Sequence, residues 1–102
     1  MNIRIDTKDS KAILGLTGRF DFTVHKEFRN VTEKLLETES LKEIELNLQD
    51  VDYLDSSALG MLLLLKDHAN QKGTSIVISG CQDTVKQILE VANFSKLFKI
   101  SA

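Results

Sequence analysis

Apolar and polar residues change period several times along this chain, and each change marks an element. Asn2-Ile3-Arg4-Ile5-Asp6-Thr7 alternates, as a half-buried strand does. Lys8-Asp9-Ser10-Lys11 is a polar turn, and Ala12 to Thr17 is apolar enough for a more buried strand that Gly18 ends. The short turn between these strands predicts a hairpin. Phe20-Asp21-Phe22-Thr23 leads into a helix whose Val24, Phe28, Val31 and Leu35 form one apolar stripe. Asp21 or Thr23 is its candidate N-cap, and the helix should fade near Thr38 to Ser40.

Glu43-Ile44-Glu45-Leu46-Asn47-Leu48 alternates cleanly and predicts the next strand. A second helix should start at Ser56 or Ser57 and run to about Gln71, with Gly73 as its stop. Ser75 to Ser79 is a β-branched strand closed by Gly80. A third helix is expected from about Asp83 to Ala92, with Val85, Ile88, Leu89 and Ala92 on one face. Phe98-Lys99-Ile100 predicts a last short strand, with Leu97 packing just before it. The order is β-β-α-β-α-β-α-β. After the hairpin, strands and helices alternate, which favours parallel pairing through right-handed crossovers.

The second helix carries more apolar surface than this plan needs. Met61-Leu62-Leu63-Leu64-Leu65 covers more than a full turn, whereas a surface helix needs a stripe of roughly 100°. Ser57, Met61, Leu64 and His68 share one face, with Gly60 beside them. Either the helix is buried on two sides, or it exposes an apolar strip beside a pair of serines, as a regulated protein-binding surface would.

The totals narrow the function. A chain of 102 residues is one domain, 1–102, able to bury a core without disulfide or metal. A net charge of −2 with no basic block argues against nucleic acid. The single Cys81 and the lack of a secretory leader suit a reducing cytoplasm. The longest apolar run, Ala58 to Leu65, is far too short for a membrane span.

Ser56 and Ser57 sit where a strand hands over to a helix, a place that exposes backbone N–H groups and a positive dipole end. A nucleophile elbow would need glycines two residues either side of the serine. Those positions hold Leu54 and Ala58 around Ser56, and Asp55 and Leu59 around Ser57. His68 lies three turns along the same helix, roughly 18 Å away at 1.5 Å per residue, and nothing singles out His25 as a base. His25, His68 and Cys81 lack metal-ligand spacing, and Asp52 and Asp55 are not followed by a calcium loop. Gly60 stands alone, without a phosphate cradle. These residues predict no catalytic site, no metal and no cofactor. Ser56 can serve as a plain N-cap. It can equally accept a phosphate, which a helix N-terminus welcomes.

With Ile44-Glu45-Leu46-Asn47-Leu48 followed by Asp55-Ser56-Ser57-Ala58-Leu59-Gly60-Met61-Leu62, the chain resembles the STAS domain, and specifically the stand-alone bacterial anti-sigma factor antagonists. Gly18-Arg19-Phe20-Asp21 matches the family's turn after its second strand. Val85 to Leu89 and Leu97 to Ile100 look like its third helix and following strand. Two departures stand out: Ala58 replaces the usual Gly, and the sequence ends at Ala102, where many members continue into another helix.

The resemblance implies an α/β domain with a mixed sheet and helices mainly on one face. It implies a non-enzymatic, phosphorylation-switched protein, monomeric when free. Ser56 would be phosphorylated by a partner that is both anti-sigma factor and serine kinase, with Ser57 the alternative. A metal-dependent serine phosphatase would reverse the modification. Asp21 and Asp55 would flank the serine and repel an added phosphate. The expected partner-binding set is Asp21, Thr23, Asp55, Ser57, Gly60, Met61 and Leu64. The family also includes switches that control other signalling enzymes, such as cyclases, and accessory subunits of transport complexes.

Overall fold

The computed structural model describes residues 1–101. Its strands are β1 (Asn2–Lys8), β2 (Lys11–Phe20), β3 (Glu43–Leu54), β4 (Ser75–Ser79) and β5 (Lys99–Ile100). The helices are α1 (His25–Leu36), α2 (Ser56–Lys72) and α3 (Asp83–Val91), with 3-10 turns at Phe22–Val24 and Phe94–Lys96. The strands lie side by side in chain order, β1 antiparallel to β2 and the remaining pairs parallel. Successive crossovers of one hand, all advancing in the same direction, bring every helix to the same face of the sheet.

Burial follows that layering. Ala12, Leu14 and Leu16 on β2, Ile44, Leu46 and Leu48 on β3, and Ile76 and Ile78 on β4 point into the core. Their neighbours Ile13, Glu43, Glu45, Asn47 and Val77 face the other way and are half-buried. There Lys11 bridges Glu43 at 3.2 Å and Glu45 at 2.8 Å, and the Ser79 hydroxyl donates to Glu45 at 2.8 Å. From the helices, Phe28, Leu36, Met61, Leu62, Leu65, Val85 and Leu89 close the core.

Several boundaries move relative to the sequence pattern. β2 does not end at Gly18: it passes through with Gly18 at φ 106° and shifts its register against β3 on the way to Phe20. β3 runs beyond Leu48 to Leu54, because pairing with this extended β2 carries it through Asp50 and Asp52. The most buried face of α1 is Phe28, Thr32 and Leu36, continuing from Val24, while Val31 and Leu35 are half-buried and pack against the edge of the core. Thr32 tolerates burial because its hydroxyl donates to the Phe28 carbonyl at 3.0 Å. Leu97 is 44% exposed; Phe94 and Phe98, stacked with ring centres 5.3 Å apart, fill the core before β5 instead. Gly73 ends α2 in the left-handed conformation, φ 73°, as expected.

Candidate functional site

The two serines lie at the carboxyl ends of β2 and β3, the edge where open parallel sheets place their sites. Asp55 makes the turn between strand and helix. Its backbone N–H donates to the Phe20 carbonyl at 3.2 Å, closing the sheet. Its carboxylate accepts from the Ala58 N–H at 2.8 Å, and its carbonyl accepts the first helical bond from Leu59 at 3.2 Å. Asp55 is therefore the N-cap, with extended backbone at φ −98° and ψ 179°. The capping role expected for Ser56 is corrected. Ser56 is the first helical residue and Ser57 the second, and both side chains are exposed.

A second cap stands beside the first. Register pairs Arg19 with Tyr53 and Phe20 with Leu54, so the turn after β2 abuts the turn after β3. There the Asp21 carboxylate accepts from the Thr23 hydroxyl and from the Thr23 N–H, the latter at 3.0 Å, capping the 3-10 turn. Arg19 Nε lies 3.3 Å from Asp21 Oδ2, and its guanidinium covers the Tyr53 ring at 4.2 Å. The Thr23 hydroxyl, then the Thr23 amide and the Arg19 charge, hold the Asp21 carboxyl below the usual carboxylate range.

The face of α2 divides. Met61 is only 6% exposed, so it does not stand on an open partner-facing surface as expected; it turns into the seam between α1 and α2. Leu64, at 56% exposed, is on the surface, as are Leu63 and Gly60. Both readings of the leucine run thus hold in part: Leu62 and Leu65 are core, Leu63 and Leu64 are not. Three residues of this end went unmarked in the sequence. Phe22 is 68% exposed beside Asp21, and Arg19 and Tyr53 pair on the sheet's outer side. For Arg19 and Tyr53 the signal was parity, since each adjoins a buried Phe20 or Leu54 in a strand; Phe22 lies in the 3-10 turn, where strand parity gives no signal.

Among the described residues, no histidine hydrogen-bonds to Ser56 or Ser57; His25 and His68 both line the α1–α2 seam. No group of three or more potential metal ligands occurs among the described residues. Burial pushes the Cys81 thiol up, which disfavours its reactive thiolate. Among the described residues, no helix is long and apolar enough to cross a membrane.

The description of the STAS domain family matches residues 2–102. The chain belongs to the STAS domain family. A STAS-domain containing protein of Pseudomonas aeruginosa is 45% identical over 86 residues, covering 84% of this chain and 83% of that protein. The anti-sigma F factor antagonist of Paenibacillus polymyxa is 24% identical, over 98% of this chain and 87% of its own. Among solved structures, the anti-sigma factor antagonist SpoIIAA in its unphosphorylated form superposes with a TM-score of 0.77 at 12% identity, covering 99% of this chain and 88% of that one. The phosphorylated form of SpoIIAA from Bacillus gives 0.76 over 99% and 92%. At such identity the structural likeness speaks for the STAS fold. Relatives and structural neighbours alike thus include anti-sigma factor antagonists.

Proposed function

We propose that this STAS domain is a cytoplasmic, phosphorylation-switched anti-sigma factor antagonist, monomeric when free and without catalytic activity of its own. The unmodified form binds a partner that is both anti-sigma factor and serine kinase. Phosphorylation of Ser56, with Ser57 the alternative, abolishes productive binding, and a metal-dependent serine phosphatase restores it. The observation that carries this reading is the exposed Ser56 hydroxyl on the first residue of α2, beside a carboxylate already spent on capping. Because Asp55 holds the cap, Ser56 is free to be modified without uncapping the helix.

A phosphate there adds about −1.5 to −2 charges. Within the domain, the dipole and N–H groups of α2 offset part of the cost. Across an interface the added charge must be desolvated or meet partner charges, and like-charge contact there costs several kcal/mol, enough to weaken a moderate affinity by roughly two to three orders of magnitude. The partner-facing surface comprises Asp21, Thr23, Asp55, Ser57, Gly60 and Leu64, with Met61 lying beneath it.

Incubation with the kinase partner and ATP, followed by intact-mass analysis and fragment mapping, tests the site; label on Ser57 alone overturns the assignment. Amide shifts of the modified protein should change mainly in residues 20–25 and 53–62. In calorimetric titration of the partner, Ser56→Ala should bind and resist modification. Ser56→Asp should bind more weakly, though less affected than the phosphoprotein, since a carboxylate carries less charge. Leu64→Glu should fold and lose binding. Met61→Glu is the poorer probe, because a charge placed at a site 6% exposed also destabilises the domain. Full binding by Leu64→Glu would remove this helix face from the interface.

A further inference from the structure

Beside the serine turn, α1 and α2 enclose a groove of about 150 Å³. Its floor is Phe28, Met61 and Leu65, none more than 6% exposed, and the exposed Leu64 forms one wall. His25 and Arg29 from α1 and His68 from α2 complete the lining on its polar side. Among the described residues, no carboxylate lines the groove itself; Glu33 stands at its edge, paired with Arg29.

The polar groups are set for an acceptor. Thr32, also in the lining, has its hydroxyl turned to the Phe28 and Arg29 carbonyls at 3.0 and 3.2 Å, so it leaves its proton to the helix. Glu33 takes Arg29 through Nε at 2.9 Å. That pair offsets part of the arginine's charge and engages Nε, with no hydrogen bond from the terminal nitrogens among the described residues. Each imidazole adds an N–H donor whether neutral or charged. Two imidazoles with no third ligand do not make a metal site, and metal clusters are absent among the described residues.

We propose that this groove binds a small carboxylic acid whose apolar body is about the size of a benzene ring. A cavity of roughly 150 Å³ lined by apolar side chains accommodates benzene. The ring lies on Phe28, Met61 and Leu65. The carboxylate points outward to Arg29, whose planar fork matches two oxygens, and to the imidazole N–H groups. The proposal is independent of the phosphorylation reading, because it concerns the isolated domain and no kinase.

The test is amide NMR titration of the protein with benzoate, and with benzyl alcohol as the neutral analogue. Benzoate should give saturable shifts confined to residues 25–32 and 61–68. Benzyl alcohol should bind roughly tenfold more weakly, and Arg29→Gln should lower benzoate affinity by a similar factor, as expected for loss of one charge-assisted contact. Arg29 is exposed, so the variant is expected to fold, and its unbound spectrum checks this. Equal binding of benzoate and benzyl alcohol would overturn the acid-binding assignment. Shifts outside the two helices, or none at saturating benzoate, would overturn the site. If benzoate fails while an acidic, apolar peptide shifts the same residues, the groove belongs to a protein segment and the proposal is wrong.

Discussion

Replacing Asp55 with alanine removes two things at once: the acceptor that holds the Ala58 N–H at 2.8 Å, and a negative charge at the positive end of α2. Asp55→Asn keeps an acceptor of the same shape and removes only the charge. Loss of a capping side chain costs about 0.5–2 kcal/mol. The charge–dipole part is worth about 0.3–1 kcal/mol. The backbone bonds of residue 55 to Phe20 and Leu59 survive either change. Asp55→Ala should therefore lose about 1–2 kcal/mol, and Asp55→Asn about half of that or less. In a domain of this size each kcal/mol lowers Tm by about 4–8 °C. Ser56→Ala is the internal control. With Asp55 as the cap, an exposed serine at the first helical position should change stability by no more than about 0.5 kcal/mol. Urea unfolding followed by far-UV circular dichroism, with thermal melts alongside, measures all three, and the denaturant slope should stay constant. Ser56→Ala proving as harmful as Asp55→Ala would refute the assignment of the cap. Asp55→Asn as harmful as Asp55→Ala would show that charge, and not the hydrogen bond, holds the turn.

Gly60 is exposed on α2, and a Cβ built there meets nothing within 4 Å, so Gly60→Ala should stabilise the fold by about 0.5–1 kcal/mol in the same urea assay. If the surface around it serves a partner, that variant gains stability and loses affinity, a separation calorimetry would detect. Gly80 sits at φ 68° with a would-be Cβ 3.0 Å from Asn47 Oδ1 and 3.2 Å from Gln49 Cβ; Gly80→Ala should cost about 1–3 kcal/mol, read as a lower urea midpoint. The Lys11 ammonium, and after it the Ser79 hydroxyl, hold the Glu45 carboxyl below its ordinary value. A lowered folded-state pKa contributes stability that is present above the unfolded value, about 4.3, and is lost as pH falls through the folded one. The urea midpoint should thus drop between pH 6 and pH 3, and Lys11→Met should shrink the part of that drop due to Glu45.

Local pattern was enough where one segment decides its own structure. The β-branched run Ser75–Ser79, set between Gly73-Thr74 and Gly80, could be little other than a buried strand, and Gly73 stops α2 by a conformation that other residues rarely adopt. Pattern failed where a distant segment decides. Asp55 and Ser56 are equally good N-caps by residue type; the Phe20 carbonyl, which takes the Asp55 N–H, selects between them. β3 crosses two aspartates because β2 offers it partners through a bulge at Gly18. The buried face of α1 rotates onto Thr32, a residue counted as polar until its hydroxyl is seen to bond back into its own helix. At the serine turn, the motif gave the location, while the burial of Met61 and the exposure of Phe22 follow from how α1 and its preceding turn pack.

Between Leu54, which ends β3, and Ser56, which begins α2, there is a single residue, and that residue is bonded on both sides. Such a joint has no slack. A linker of several residues could swing away from an unwelcome charge and so convert a chemical mark into a movement. This one cannot, and a mark placed on Ser56 would stay where it is written. Its information would lie in the local potential and not in a rearrangement. Reading it would then take no longer than an encounter with the partner, and the tempo of the response would be set by the enzymes that write and erase the mark, with no step of refolding in between.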